Sequence, residues 1–127
     1  MVLPFDLNRD LIIVPVRVVG PAGEQILRFA VDTGATNSVL DLEYALRVGY
    51  HTSASDQQID ITTASGAEPV SSFVIDRFEA LGQRRYNFPI LCYVLPSRVD
   101  FDGLLGLDFF QGPKLTLDFR IGLVTLE

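Results

Sequence analysis

The stretch Phe29-Ala30-Val31-Asp32-Thr33-Gly34-Ala35 sets a carboxylate, a hydroxyl and a glycine directly behind an apolar run. A lone carboxylate is costly to bury, so either Asp32 opens an ordinary turn or its charge serves chemistry. Asp, Thr and Gly all suit turns, and an Asx-turn after a strand is the plainest account. By average residue usage the triplet arises by chance in about two of a hundred chains of this length. Context weighs against the plain account. An apolar strand, Ile26 to Val31, leads into the triplet, and Ala35 and a second apolar strand, Val39-Leu40, follow it. Much later Leu104-Leu105-Gly106 stands just before another apolar turn.

An acid in such a setting has a known use. Hydrolysis of a peptide bond by water needs one group to take a proton from the water and another to protonate the carbonyl oxygen. Two carboxylates close enough to share one proton do both, because they cannot both ionise and their pKa values split. Such a pair titrates as a unit. Glycine at 34 lets the backbone approach the Asp32 carboxylate and donate an N–H to it, and Thr33 adds a small side chain with a hydroxyl.

Other chemistries are poorly supplied. With one cysteine and one histidine the usual zinc ligand sets cannot be assembled, and neither a metal nor a cofactor is expected. Cys92 sits in the apolar run Phe88-Pro89-Ile90-Leu91-Cys92 and reads as a small buried hydrophobe. His51 follows Gly49-Tyr50 with no neighbour that suggests a base or ligand. A net charge of −6 argues against a nucleic-acid surface, and the paired Arg84-Arg85 reads as a solvated turn. No apolar run is long enough to span a membrane, and residues 1–10 lack a signal-peptide core. A soluble, cytoplasmic protein is expected.

The elements that must position Asp32 are mostly strands. The chain has 127 residues, 48% apolar, which suits one domain over 1–127 with one core. Residues 11–32 read as a β-hairpin turning at 21–25, with Pro15 at an edge or bulge. Residues 42–50 fit a short helix with Asp41 as N-cap and Gly49 as stop. Residues 57–81 alternate on both sides of a small tip, Ala64-Ser65-Gly66-Ala67, and form a second hairpin. Residues 84–96 supply a further strand and 107–111 a helical turn. Residues 114–127 close the chain as a hairpin turning near Arg120-Ile121-Gly122.

Together, "VDTGATNSVLD" and "GLLGLDFF" resemble the retropepsin-like aspartic proteases, in their cellular and bacterial branch, over Leu11 to Glu127. The resemblance implies a mainly β, closed barrel-like domain with a flap hairpin and one or two short helices. It implies an aspartic endopeptidase acting on extended polypeptides without cofactor. The chain carries a single triplet, since neither Asp108 nor Asp118 is followed by Thr-Gly or Ser-Gly. A protease of this kind must therefore be a homodimer, with Asp32 of each copy meeting on the two-fold axis. By the same resemblance the catalytic residues are Asp32, Thr33 and Gly34, the Thr33 hydroxyl bracing the partner chain. Ala35, Thr36 and Leu105 would meet the substrate from below, and the flap tip Ala64, Ser65 and Gly66 from above.

Two departures stand out. Viral members often carry an acid two residues after the triplet's glycine, paired with an arginine after the later glycine. Here those positions are Thr36 and Leu107. The closing hairpin is also longer than the short termini that viral dimers interleave, so dimerisation here is expected to differ. The competing reading is a catalytically weak module of the same fold that binds peptides or dimerises.

Overall fold

A computed structural model describes residues 1–51, 57–63 and 66–127, with 57–63 and 66–69 described by backbone alone. Ten strands and one short helix follow in order: β1 (Val2–Pro4), β2 (Ile13–Gly20), β3 (Gly23–Val31), β4 (Val39–Asp41), α1 (Leu42–Arg47), β5 (Gln57–Thr63), β6 (Gly66–Ala80), β7 (Gln83–Tyr93), β8 (Gly103–Leu105), β9 (Leu115–Asp118) and β10 (Leu123–Leu126). The larger sheet runs β2-β3-β8-β4-β7-β6-β5, and an added β2–β6 pairing closes six of its strands into a barrel. A separate sheet runs β1-β10-β9. No helix among the described residues is long and apolar enough to cross a membrane.

The period-two pattern builds the barrel. In β2 the inward residues Val14, Val16 and Val18 are fully buried while Pro15 is exposed. Pro15 pairs with Arg28 of β3, but the β2–β6 ladder begins only at Val16. Its missing N–H therefore falls on a stretch of β2 that β6 does not cover, as an edge position requires. Inside, aromatic rings fill the space. Phe78 stacks on Phe88 at 4.8 Å and meets Phe29 and Phe109 edge-on at 5.6 and 5.8 Å.

The three expected hairpins form, as β2–β3, β5–β6 and β9–β10. A fourth joins β6 to β7, turning at Leu81 and Gly82, both with positive φ. Helix α1 starts where Asp41 accepts the Glu43 N–H at 3.2 Å. It is shorter than expected, ending at Arg47, with Gly49 just beyond at φ +106. Six helical residues bury Ala45 but leave Leu46 42% exposed. Residues 107–110 form successive turns, with Phe109 N–H donating to Gly106 and Phe110 N–H to Leu107, rather than a second helix. Strand β1 had no signature in the sequence; it exists because β10 offers it a partner.

Candidate active site

Asp32 lies at the end of β3, where the chain leaves the barrel wall. Two backbone bonds fix its start: Val31 N–H donates to Ile12 at 2.8 Å, and Asp32 N–H to Leu105 at 2.9 Å. The turn then closes on itself, with Ala35 N–H donating to the Asp32 carbonyl at 3.1 Å. The Gly34 N–H donates to the Asp32 carboxylate, 3.0 Å from Oδ1. A side chain on Gly34 would bring its Cβ within 3.2 Å of that same oxygen. The carboxylate is half-buried, and its Oδ2 has no donor among the described residues. Thr33 is exposed, and its hydroxyl has no partner among the described residues of its own chain.

A second set of bonds ties this loop to the later apolar-apolar-glycine segment. Leu107 N–H donates to Ala35 at 2.9 Å and Asp108 N–H to Thr36 at 3.3 Å. At the centre is Ser38, fully buried. Its hydroxyl accepts the Gly106 N–H at 2.9 Å and donates to Asp108 Oδ1 at 2.7 Å. Its own N–H donates to both Asp108 oxygens, at 2.9 and 3.1 Å. Gly106 is glycine for lack of space: a Cβ there would sit 2.8 Å from the Ala35 carbonyl oxygen and from backbone atoms of Asn37. The two segments are thus knotted around one hydroxyl and one carboxylate.

The sequence-derived site residues therefore divide. Asp32, Thr33, Gly34, Ala35 and Thr36 form one loop, with Ala35 half-buried and Thr36 exposed. Leu105 is fully buried; its carbonyl props Asp32 from beneath, and its side chain belongs to the core, offering a peptide no surface in this chain. Ala64 and Ser65 lie outside the described residues. Gly66 opens β6 and pairs with Thr63 of β5. Sequence reading missed Ser38 and Asp108. In the sequence Asp108 reads only as a place where a second triplet fails, whereas in the structure it is the acceptor for Ser38. The signal available was a serine set against the apolar run Val39-Leu40, a place where a hydroxyl must find partners.

Cys92 lies in β7 opposite Leu40 of β4 and is buried. Burial, helped by the Asp41 charge, pushes its thiol up to about 12, so it is neutral and inert. Among the described residues no group of His, Cys, Asp and Glu could hold a metal ion. A groove of about 730 Å³ lies between α1 and residues 94–102, but Asp32 is not in its walls. Asp32 is half-buried, in a loop apart from that groove.

The family model described as aspartyl protease matches residues 14–109. Among solved structures, a retropepsin-like aspartic protease from Rickettsia conorii superposes with a TM-score of 0.73 at 20% identity, over 99% of this chain and 88% of that one. The EIAV protease, in complex with the inhibitor HBY-793, superposes with a TM-score of 0.62 at 22% identity, over 91% of this chain and 100% of that one. No curated protein matches the sequence. At these identities the two structures speak for the fold, which is the retropepsin-like one.

Proposed function

The chain belongs to the aspartyl protease family, and from that premise we propose that it is an endopeptidase whose active site is completed by a second copy of itself. The observation that carries this reading is the state of the Asp32 loop. One carboxylate oxygen is held by the Gly34 N–H, the other has no donor among the described residues, and the neighbouring Thr33 hydroxyl is exposed without a partner. Both are groups that a twin loop, related by a two-fold axis, would satisfy.

In the dimer one Asp32 is ionised and the other protonated. The ionised carboxylate takes a proton from a water molecule as its oxygen attacks the scissile carbonyl carbon. The protonated one gives its proton to the carbonyl oxygen, leaving a tetrahedral diol. Collapse of the diol breaks the C–N bond as the leaving nitrogen takes the dyad's proton, while one diol hydroxyl gives its proton to the other carboxylate and becomes the new carbonyl oxygen, so the dyad returns to its shared-proton state. The Gly34 N–H steadies the charged form, and the Ser38–Asp108 knot keeps each loop from drifting. Ala35 and Thr36 form the floor along which an extended peptide lies. The β5–β6 hairpin supplies the flap over it, which excludes water. No cofactor takes part.

The test is Asp32→Asn, assayed on an unstructured protein at mildly acid and neutral pH. Cleavage should vanish while the far-ultraviolet spectrum and the dimer mass stay as in the parent. Cleavage that survives the substitution would overturn the reading. Peptide binding by the parent without any cleavage would shift it to a binding or dimerisation module.

A further inference from the structure

The groove of about 730 Å³ between α1 and residues 94–102 has no part in the Asp32 site. Its volume lies in the range of small-molecule pockets, about 300–1,000 Å³. One wall is α1 with its cap; the other is the stretch that leaves β7 and returns as β8. The walls are tied at their base. The Asp41 N–H donates to the Asp102 carbonyl at 2.8 Å, and the Asp102 N–H to the Arg28 carbonyl at 2.7 Å. Apolar side chains line much of the space. Phe101 is half-buried, while Leu46 and Val94 are 42% and 74% exposed. Large apolar side chains left bare around one hollow mark a place where something binds.

Charge sets the class of ligand. Asp41, Glu43 and Asp102 stand in the walls against a single base, Arg47. Arg47 is taken up by Glu43 at 2.5 Å and lies 5.5 Å over the Tyr44 ring. Arg28 donates its backbone N–H to the Asp102 carboxylate at 2.8 Å, but its guanidinium pairs with Asp100, outside the walls. Asp41 likewise accepts only a backbone N–H, that of Glu43. Among the described residues neither carboxylate has a cation of its own. Tyr44 registers the field that results. The Asp102 charge, with burial and Glu43 adding to it, raises its hydroxyl above the ordinary value despite Arg47.

We propose that this groove binds a small amphiphilic amine, with its apolar body against Leu46, Val94 and Phe101 and its protonated nitrogen between Asp41 and Asp102. The backbones of these two acids are bonded to each other and both line the groove, so one cation serves the pair. An anion of the same shape would meet two unpaired carboxylates. A folded partner would need a larger, flatter surface than this hollow offers.

The test titrates the full chain into dansylcadaverine, an aromatic sulfonamide with an amine tail, and follows its fluorescence at neutral pH. Dansylglycine has the same aromatic body with a carboxylate and should bind about tenfold more weakly. That difference should shrink in about 0.5 M salt. Asp41→Asn keeps the helix cap, because an amide oxygen also accepts the Glu43 N–H, and should weaken the amine by about fivefold. Val94→Lys sets a cation in the groove at a well-exposed position and should weaken it by at least about tenfold. Glu127→Gln makes the same change in net charge as Asp41→Asn but outside the groove, and Asp32→Asn removes the protease carboxylate; both should bind as the parent does. Circular dichroism checks that each variant is folded. Equal binding of the two probes, parent-like binding by Asp41→Asn and Val94→Lys, or loss of binding in Asp32→Asn overturns the proposal. Hexylamine should displace the probe. Displacement only by an apolar peptide carrying lysine would make the groove a peptide site and overturn the small-ligand assignment. None of these readouts depends on cleavage, so failure here and failure of the protease reading are separate results.

Discussion

Ser38→Ala removes one oxygen from a position with no solvent exposure, and the structure says what that oxygen was holding. The Gly106 N–H, itself buried, loses its acceptor at 2.9 Å. An orphaned buried donor costs about 1–3 kcal/mol. Asp108 loses the shortest of its bonds, the 2.7 Å hydroxyl, but keeps the Ser38 N–H at 2.9 and 3.1 Å. Losing one charge-assisted bond of three adds about 1 kcal/mol. The expected total is about 2–4 kcal/mol, a large share of the roughly 5–15 kcal/mol that holds a domain together. In urea this moves the midpoint down by about 1–2 M at unchanged slope, followed by far-ultraviolet circular dichroism. Asp108→Asn is the control. An amide oxygen placed at Oδ1 still accepts both the Ser38 N–H and hydroxyl, but the amide NH2 then stands where Oδ2 accepts that N–H at 3.1 Å, so this change should cost no more than Ser38→Ala. A loss under about 0.5 kcal/mol for Ser38→Ala, or a larger loss for Asp108→Asn, would refute the claim that this hydroxyl knots the two segments.

Three further outcomes follow from the geometry. Gly106→Ala puts a methyl 2.8 Å from the Ala35 carbonyl oxygen, so the Asp32 loop must shift; cleavage should fall more steeply than stability, read by assaying both on one preparation. Phe78→Ala opens a hole among Phe29, Phe88 and Phe109, and urea unfolding should show a loss of about 3–5 kcal/mol. Burial, with the Asp41 charge adding to it, raises the Cys92 thiol from 9.0 to about 12. The unfolded chain therefore releases this proton first as pH rises. The contribution is full below pH 9 and lost between 9 and about 12, at up to about 1.4 kcal/mol per pH unit. Cys92→Ala should lack that share of the alkaline decline, and the parent thiol should resist aromatic disulfide reagents at pH 8 until the protein is unfolded.

The strands of this protein were written in local patterns, and so was the core. Alternation in Val14, Val16 and Val18 placed one face inward, and Asp41 with Gly49 marked where α1 begins and stops, because caps and period-two burial involve only neighbours in the chain. The Asp-Thr-Gly triplet and the later Leu-Leu-Gly are legible in the sequence as the two segments of the candidate site. What they could not give was the bond between them. That Asp108 serves Ser38, that Leu105 carries Asp32 from below with its side chain in the core, and that β8 slots between β3 and β4 are matters of residues about seventy positions apart meeting in space.

Two features were settled by tertiary structure alone. Strand β1 carries no strand signature of its own and exists because β10 offers it an edge. The parallel pairings β3–β8 and β4–β7 join, within the barrel wall, segments no turn connects, and β2–β6 closes it. Sequence thus determined which residues could do chemistry and which faces had to be buried, since both depend on residue type and short-range period. Which backbone groups would be taken up around Asp32 and Ser38 depended on where distant segments came to rest, because a hydrogen bond is satisfied by position in space and not by position along the chain.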